Sequence, residues 1–255
     1  MVVTSTLPTR DPESAWRDKD HAAEAAHAAD LVRRHVSEPR RVLELGCGSG
    51  MHAAALAHLG LEVLGVDRNR AALDRAEERR RALPPDETHR LLFLEGDVRE
   101  LALGRRFDAV LAFSFLSTQT TNDDVTGFFR AASRHLAPGG VLLFDFWYGP
   151  AVLVERPTAR VRRSESDGVR VTRIAEPTIR HADNVVEVRH EVLVECPADG
   201  TVARTDESHA ARYFTLPELA MFLTVNGLTP VAWTEWMTER EPRLESWSVA
   251  GLARK

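Results

Sequence analysis

Leu43-Glu-Leu-Gly46-Cys-Gly48-Ser-Gly50 sets three alternating glycines between a short apolar run and an alanine-rich one, and this feature narrows the choice of fold most sharply. Glycines so spaced serve a turn that needs unusual φ values and a backbone that a ligand must approach closely. Residues 41–45 ahead of them read as a strand, and residues 51–59, stopped by Gly60, read as a helix. Strand, tight loop and helix in that order open a parallel α/β sheet.

The alternation continues downstream. Residues 61–66 predict a second strand, 70–83 a charged helix stopped by Pro84-Pro85, and 91–94 a third strand. Residues 107–113, nearly all apolar, suit a central strand covered on both faces. Residues 123–136 predict a helix closed by Pro138-Gly139-Gly140, and 141–146 a fifth strand. Ahead of the loop, residues 19–35 carry helical spacing that ends near Val36. After Trp147 the pattern changes: β-branched stretches at 169–174, 185–194 and 210–214 are separated by Asp167-Gly168, Asp183-Asn184 and Asp199-Gly200, with no good helix between Val161 and Phe214. Residues 216–225, closed by Asn226-Gly227, predict a helix, and 228–236 and 246–253 two last strands. The expected fold is α/β, a doubly wound, mostly parallel seven-stranded sheet with an inserted antiparallel β cap. Its expected units are an N-terminal lid helix (1–36), a ligand-binding core (37–147), a substrate cap (148–214), and the last helix and strands (215–255).

Bulk properties restrict the function. At 255 residues the chain suits one α/β domain with an elaboration. A formal charge of −5 argues against a broad nucleic-acid surface, and no apolar run approaches the ~20 residues that span a bilayer. Cys47 and Cys196 are far apart and the N-terminus lacks a basic-then-apolar layout, so a cytoplasmic, reduced protein is expected. No spacing suits metal ligands, and no metal is expected.

Three strand ends carry the chemistry. A dinucleotide loop, G-x-G-x-x-G, needs glycine where Met51 stands, which speaks against a nicotinamide dehydrogenase. Asp67 ends the second strand, where a carboxylate accepts ribose hydroxyl protons; a cap for the helix near Asn69 is the other reading. Asp97 follows the third strand, where a carboxylate can receive an adenine amino group while the Val98 N–H meets a ring nitrogen; here too a loop cap is the alternative. The glycine loop, Asp67 and Asp97 all fall at the C-terminal ends of consecutive strands, where open parallel sheets bind ligands.

Glu44-Leu-Gly-Cys-Gly-Ser-Gly50, Gly65-Val-Asp67, Gly96-Asp97, Phe107-Asp-Ala-Val and Leu136-Ala-Pro-Gly-Gly140 together resemble the class I S-adenosylmethionine-dependent methyltransferase superfamily, whose fold is Rossmann-like. The resemblance implies S-adenosylmethionine (SAM) as methyl donor and S-adenosylhomocysteine as product. It puts Glu44 and the backbone of Gly46, Cys47, Gly48 and Gly50 at the methionine end, Asp67 with Arg68 at the ribose, Asp97 with Val98 at the adenine, and Phe113 near the sulfonium. The runs through His35, Gly50-Met-His52, 103–107 and 207–214 are similar to sugar-nucleotide amino-sugar N-methyltransferases of antibiotic deoxysugar pathways, which also insert an antiparallel sheet after the fifth strand. Those enzymes commonly carry lid tyrosines where Trp16 and His21 stand here. The implied acceptor is a small molecule, a nucleotide-linked amino sugar or related amine, with no nucleic acid or membrane as partner; a homodimer is one assembly this allows. An O- or C-methyltransferase, a dehydrogenase and a donor-binding protein without turnover stay open.

Methyl transfer needs a lone pair aligned behind the S–CH3 bond and water kept out. An amine must also be neutral to attack, so a nearby imidazole or carboxylate would take its proton. His21 and His209 are the candidate bases, since the lid helix and the inserted sheet should face the mouth of the site. Gln119, Tyr148 and Tyr213 are candidate orienting groups, and His52 contacts the donor or caps its helix. Each histidine also reads as a surface or packed residue. The arginines between 156 and 180 suit either a diphosphate or a solvated sheet face.

Overall fold

The computed structural model describes residues 19–166, 168–198 and 200–255; Trp16, Asp167 and Asp199 lie outside them. Helix α1 (His21–His35) leads into β1 (Arg41–Leu45), α2 (Met51–His58), β2 (Glu62–Asp67), α3 (Arg70–Arg81), α4 (Pro85–Thr88), β3 (Leu91–Glu95), β4 (Phe107–Ala112), α5 (Asn122–His135) and β5 (Leu136–Tyr148). Later, α7 (Leu216–Val225) leads into β10 (Thr229–Glu235) and β11 (Ser248–Arg254). The core sheet runs β3-β2-β1-β4-β5-β11-β10, parallel from β3 to β5, with β11 antiparallel to both neighbours. This is the doubly wound seven-stranded sheet expected from the sequence. The strand order reverses at β1, which pairs with β2 on one side and β4 on the other, so a crevice opens over the C-terminal ends there.

Alternation along each strand sends side chains to two layers. On one face, Ala25, Ala28, Ala29 and Val32 of α1 and Ala53, Leu56 and Ala57 of α2 pack on Val42, Leu111 and Leu143. Small side chains let both helices lie close to the sheet. On the other face Phe128, Phe129 and Phe222 pack on Leu43, Val110 and Phe144. Phe129 meets Phe128 and Phe144 edge-on, with ring centroids 5.0 and 5.4 Å apart, the arrangement that aromatic quadrupoles favour.

The insertion begins with α6 (Gly149–Glu155) and continues as an antiparallel meander of β6 (Arg160–Ser166), β7 (Val169–Arg180), β8 (Val185–Cys196) and β9 (Thr201–Phe214). β5 outruns β4, and β9 takes up the vacated edge through two parallel pairs, Trp147 with Tyr213 and Tyr148 with Phe214. Four features differ from the sequence reading. Helix α6 forms because Pro150 lies in its first turn, where a missing N–H costs nothing. β6 is an edge strand with exposed arginines, which lacks the apolar alternation of a covered one. β9 starts nine residues before Ala210, at Thr201, because β8 offers it a full-length partner. β5 starts at Leu136, running through Pro138-Gly139-Gly140, and a register shift between Phe107 and Ala109 of β4 absorbs the irregularity. Among the described residues no helix is long and apolar enough to cross a membrane.

Gly251 of β11 lies where β5 and β10 close in, and a Cβ there would stand 2.4 Å from Phe144 Cζ and 2.6 Å from a Trp233 ring carbon. Gly251→Ala therefore overpacks this seam and is expected to cost about 1–3 kcal/mol, seen as a lower urea midpoint with an unchanged m-value.

Candidate active site

The glycine loop is tied to the neighbouring strand. Gly46 and Cys47 donate their N–H groups to Val66 O at 2.8 and 3.1 Å, and Gly48 N–H donates to Asp67 Oδ2 at 2.8 Å. Gly46, Gly48 and Gly50 all have positive φ. A Cβ on Gly46 would fall 1.9 Å from the Phe115 ring, whereas the same position on Gly48 meets nothing within 4 Å, so bare backbone faces open space there. Asp67 Oδ1 accepts the Asn69 N–H at 2.8 Å, but the side chain that caps α3 is Asn69, which accepts from Ala72 N–H. Asp67 is thus a loop clamp and not the helix cap.

Asp97 does cap a single helical turn, accepting the Arg99 N–H at 2.9 Å, and its carboxylate also pairs with the Arg99 guanidinium. The hydrogen bonds from that guanidinium hold the Asp97 pKa at about 2. Asp67, Arg68, Gly96, Asp97, Val98, Phe115 and Gln119 line one groove. Gln119 therefore stands beside Asp97 and not with the candidate bases.

A second cluster closes the other end of the crevice. Glu24 of α1, only 7% exposed, accepts from His52 Nε2 at 2.7 Å and from Trp236 Nε1 at 3.0 Å, with Lys19 Nζ 3.1 Å away. Burial raises the Glu24 pKa, but these partners outweigh it and leave it at about 2. Burial lowers the His52 pKa, so the ring is neutral and donates through Nε2. Its Nδ1 lies 3.8 Å from Glu44 Oε1, too far for a hydrogen bond. His52 stacks on Phe113 with centroids 4.1 Å apart, and His21 meets His52 edge-on at 4.7 Å. Lys19 Nζ donates to Ser114 Oγ at 2.8 Å, and Ser114 N–H donates to Asp145 Oδ1. Ser114, with φ 52°, occupies a left-handed conformation that costs a non-glycine residue of order 1–3 kcal/mol.

Sequence reasoning brought His21, Glu44, His52 and Phe113 to this end and missed Lys19, Glu24, Asp145 and Trp236. Two signals were available. Glu24 sits on the same helical face as Ala28, and Asp145 interrupts an apolar central strand; a carboxylate in either place needs a reason. The other candidates lie apart. His209 is exposed on β9, four residues before Tyr213, with its ring stacked on His190 at 4.7 Å; it does not reach the strand ends. Tyr213 is 2% exposed and packs with Val152, Val186 and Val188 at the root of the insertion, so its position is a core one. Tyr148 is half-buried at the start of α6. Of the seven arginines from Arg156 to Arg180, only Arg173 is not exposed, which fits a solvated face.

The residues present fit a SAM-like donor. Glu44 is fully buried with Oε2 lacking any partner, a free acceptor beside the loop, while Asp67, Asp97 and Val98 line the groove at the other end. Burial raises the Glu44 pKa to about 8, with Asp67 adding to the rise.

The family model described as a methyltransferase domain matches residues 42–140. A dTDP-3-amino-3,4,6-trideoxy-alpha-D-glucopyranose N,N-dimethyltransferase of Streptomyces venezuelae is 30% identical over 215 residues, covering 83% of this chain and 85% of that protein. A dTDP-3-amino-3,6-dideoxy-alpha-D-glucopyranose N,N-dimethyltransferase of Streptomyces fradiae is 30% identical over 84% of this chain and 79% of its own length. Among solved structures, a SAM-bound amino pentose methyltransferase from Micromonospora echinaspora is 26% identical, with a TM-score of 0.77 and 98% of each chain covered. The glycine loop clamped by Asp67, the doubly wound sheet and these likenesses agree: the chain belongs to the class I S-adenosylmethionine-dependent methyltransferases.

Proposed function

We propose that this methyltransferase acts on the amino group of a nucleotide-linked amino sugar. The observation that carries this reading is the reach of the likeness: relatives named for such substrates align over more than four-fifths of the chain, well beyond the 42–140 donor domain. Glu44 and the backbone of Gly46, Cys47, Gly48 and Gly50 hold the methionine end of SAM, Asp67 with Arg68 the ribose, and Asp97 with Val98 the adenine. Bound there, the donor supplies a methyl group whose bond to sulfur breaks, with its electron pair left on sulfur, as the acceptor lone pair forms the new N–C bond. Phe113, His52 and Trp236 line the protein side of that place with rings and keep water from it. A cytoplasmic setting belongs to the same proposal and is supported by two unpaired thiols, Cys47 and Cys196.

Two measurements test this. Asp67 serves both the loop and the ribose in this reading, so Asp67→Ala is expected to weaken S-adenosylhomocysteine binding about tenfold or more by calorimetry, since hydrogen bonds to a charged group contribute about 1.5–3 kcal/mol. Unchanged affinity would remove Asp67 from the donor site. Radiolabelled methyl from SAM should enter dTDP-3-amino-3,6-dideoxyglucose and not dTDP-6-deoxyglucose, which has a hydroxyl in place of the amine. Label in the hydroxyl compound alone would make the enzyme an O-methyltransferase.

A further inference from the structure

Three buried carboxyl groups, Glu24 of α1, Glu44 of β1 and Asp145 of β5, act on the single ammonium of Lys19. Their charges do not balance. Glu44, raised to about 8, is neutral at pH 7, as is His52. Glu24, at about 2, is ionised. Burial pushes Asp145 up to about 6 against the pull of Lys19 and the Ser114 N–H, so it too is mainly ionised at pH 7. Two negative charges therefore meet one positive charge among the groups that couple in this cluster, and a second cation is favoured there.

The structure also shows what kind of cation fits. Lys19 carries a primary ammonium, and it rests on Ser114 Oγ and Glu24 Oε2 at 2.8 and 3.1 Å. Ser114 belongs to the strained turn that ends β4, and its N–H is the one that Asp145 accepts. Phe113, opposite Asp145 across the parallel pair that joins Ala112 to Phe144, precedes it. Lys19 lies two residues ahead of α1, so its side chain can withdraw without unwinding the helix. The two imidazoles nearby are poorly placed to receive a proton. His52 is committed through Nε2 to Glu24 and through its ring to Phe113, and His21 packs on the edge of that ring.

We propose that Asp145 is a catalytic residue: it faces the acceptor ammonium in the place that the Lys19 ammonium marks, and it takes the proton that the amine must lose before it can attack. The inference rests on the amino-sugar reading above. The proton passes from the ammonium nitrogen to a carboxylate oxygen of Asp145, which leaves the amine its lone pair, and it returns to water when product departs and the pocket reopens. Glu24 stays charged throughout and holds the cation in place.

The pH profile of kcat/KM for dTDP-3-amino-3,6-dideoxyglucose separates this from its competitors. With Asp145 as base, kcat/KM climbs with unit slope up to about pH 6 and then stays flat to the pKa of the amine, taken as about 8 from the α-amino value. Without a base, only the free neutral amine reacts, and the climb continues unbroken to about pH 8. Asp145→Asn, whose amide oxygen can still accept the Ser114 N–H, is expected to move the break from about 6 to about 8 and to lower kcat/KM at pH 7 roughly 100-fold. Its affinities for SAM and S-adenosylhomocysteine, by calorimetry, should stay within about threefold of wild type. A wild-type profile without a break near pH 6, which needs no variant, overturns the inference, as does an unmoved break in Asp145→Asn. Loss of SAM affinity with acceptor kinetics intact assigns Asp145 to the donor and overturns it too. A wild-type protein that leaves the amino sugar unlabelled instead defeats the reading beneath, and this inference falls with it.

Discussion

The hydrogen bonds that bind the glycine loop to β2 set the terms for the rest of the molecule. Two N–H groups reach one carbonyl, Val66 O, and a third reaches the carboxylate of Asp67. The loop, the strand end and its acid therefore move as one body. A side chain at Gly46 would collide with Phe115, so the path of the chain here admits no other residue without rebuilding the floor of the groove. Because α2 begins at the loop's last glycine, the same bonds also fix where His52 stands, and through His52 where α1 comes to rest.

That second consequence explains why α1 closes the crevice. The helix has an alanine face that suits the sheet, yet its first turn would fray without an anchor. Asp20 caps it, accepting the Ala23 N–H, and Glu24 binds it to α2 through His52 and to the segment after β10 through Trp236. Burying a carboxylate is costly in isolation. Here three donors compensate it, and they come from three separate parts of the chain. The arrangement holds the first helix, the loop helix and the last hairpin in fixed relation at the end of the sheet where the strands terminate.

Much of this was legible in the residues. Glycine and proline punctuation with apolar runs located β1 to β4 and their helices to within a residue or two, because each is covered on both faces and its composition has little freedom. The three donor-side signals, at Gly46, Asp67 and Asp97, were legible because each closes a strand. What escaped notice depended on partners remote in sequence. β6 reads as a charged segment and becomes a strand only because β7 is there to pair with it. Tyr213 and His209 read alike, as polar aromatic residues near the end of one strand, but four residues of extended chain divide a packed position from a solvated one. Lys19, Glu24, Asp145 and Trp236 form a cluster only after α1, β5 and the last hairpin have come together.

The meander touches the β5 backbone through just two rungs, Trp147 with Tyr213 and Tyr148 with Phe214, beyond the point where β4 has ended. None of the strand ends that form the donor crevice borrows a rung from it. The four inserted strands thus behave as a graft on an extended stem: their length, charge and curvature can drift through evolution, or be exchanged between relatives in the laboratory, with the stem at Trp147–Tyr148 as the one joint that must be kept.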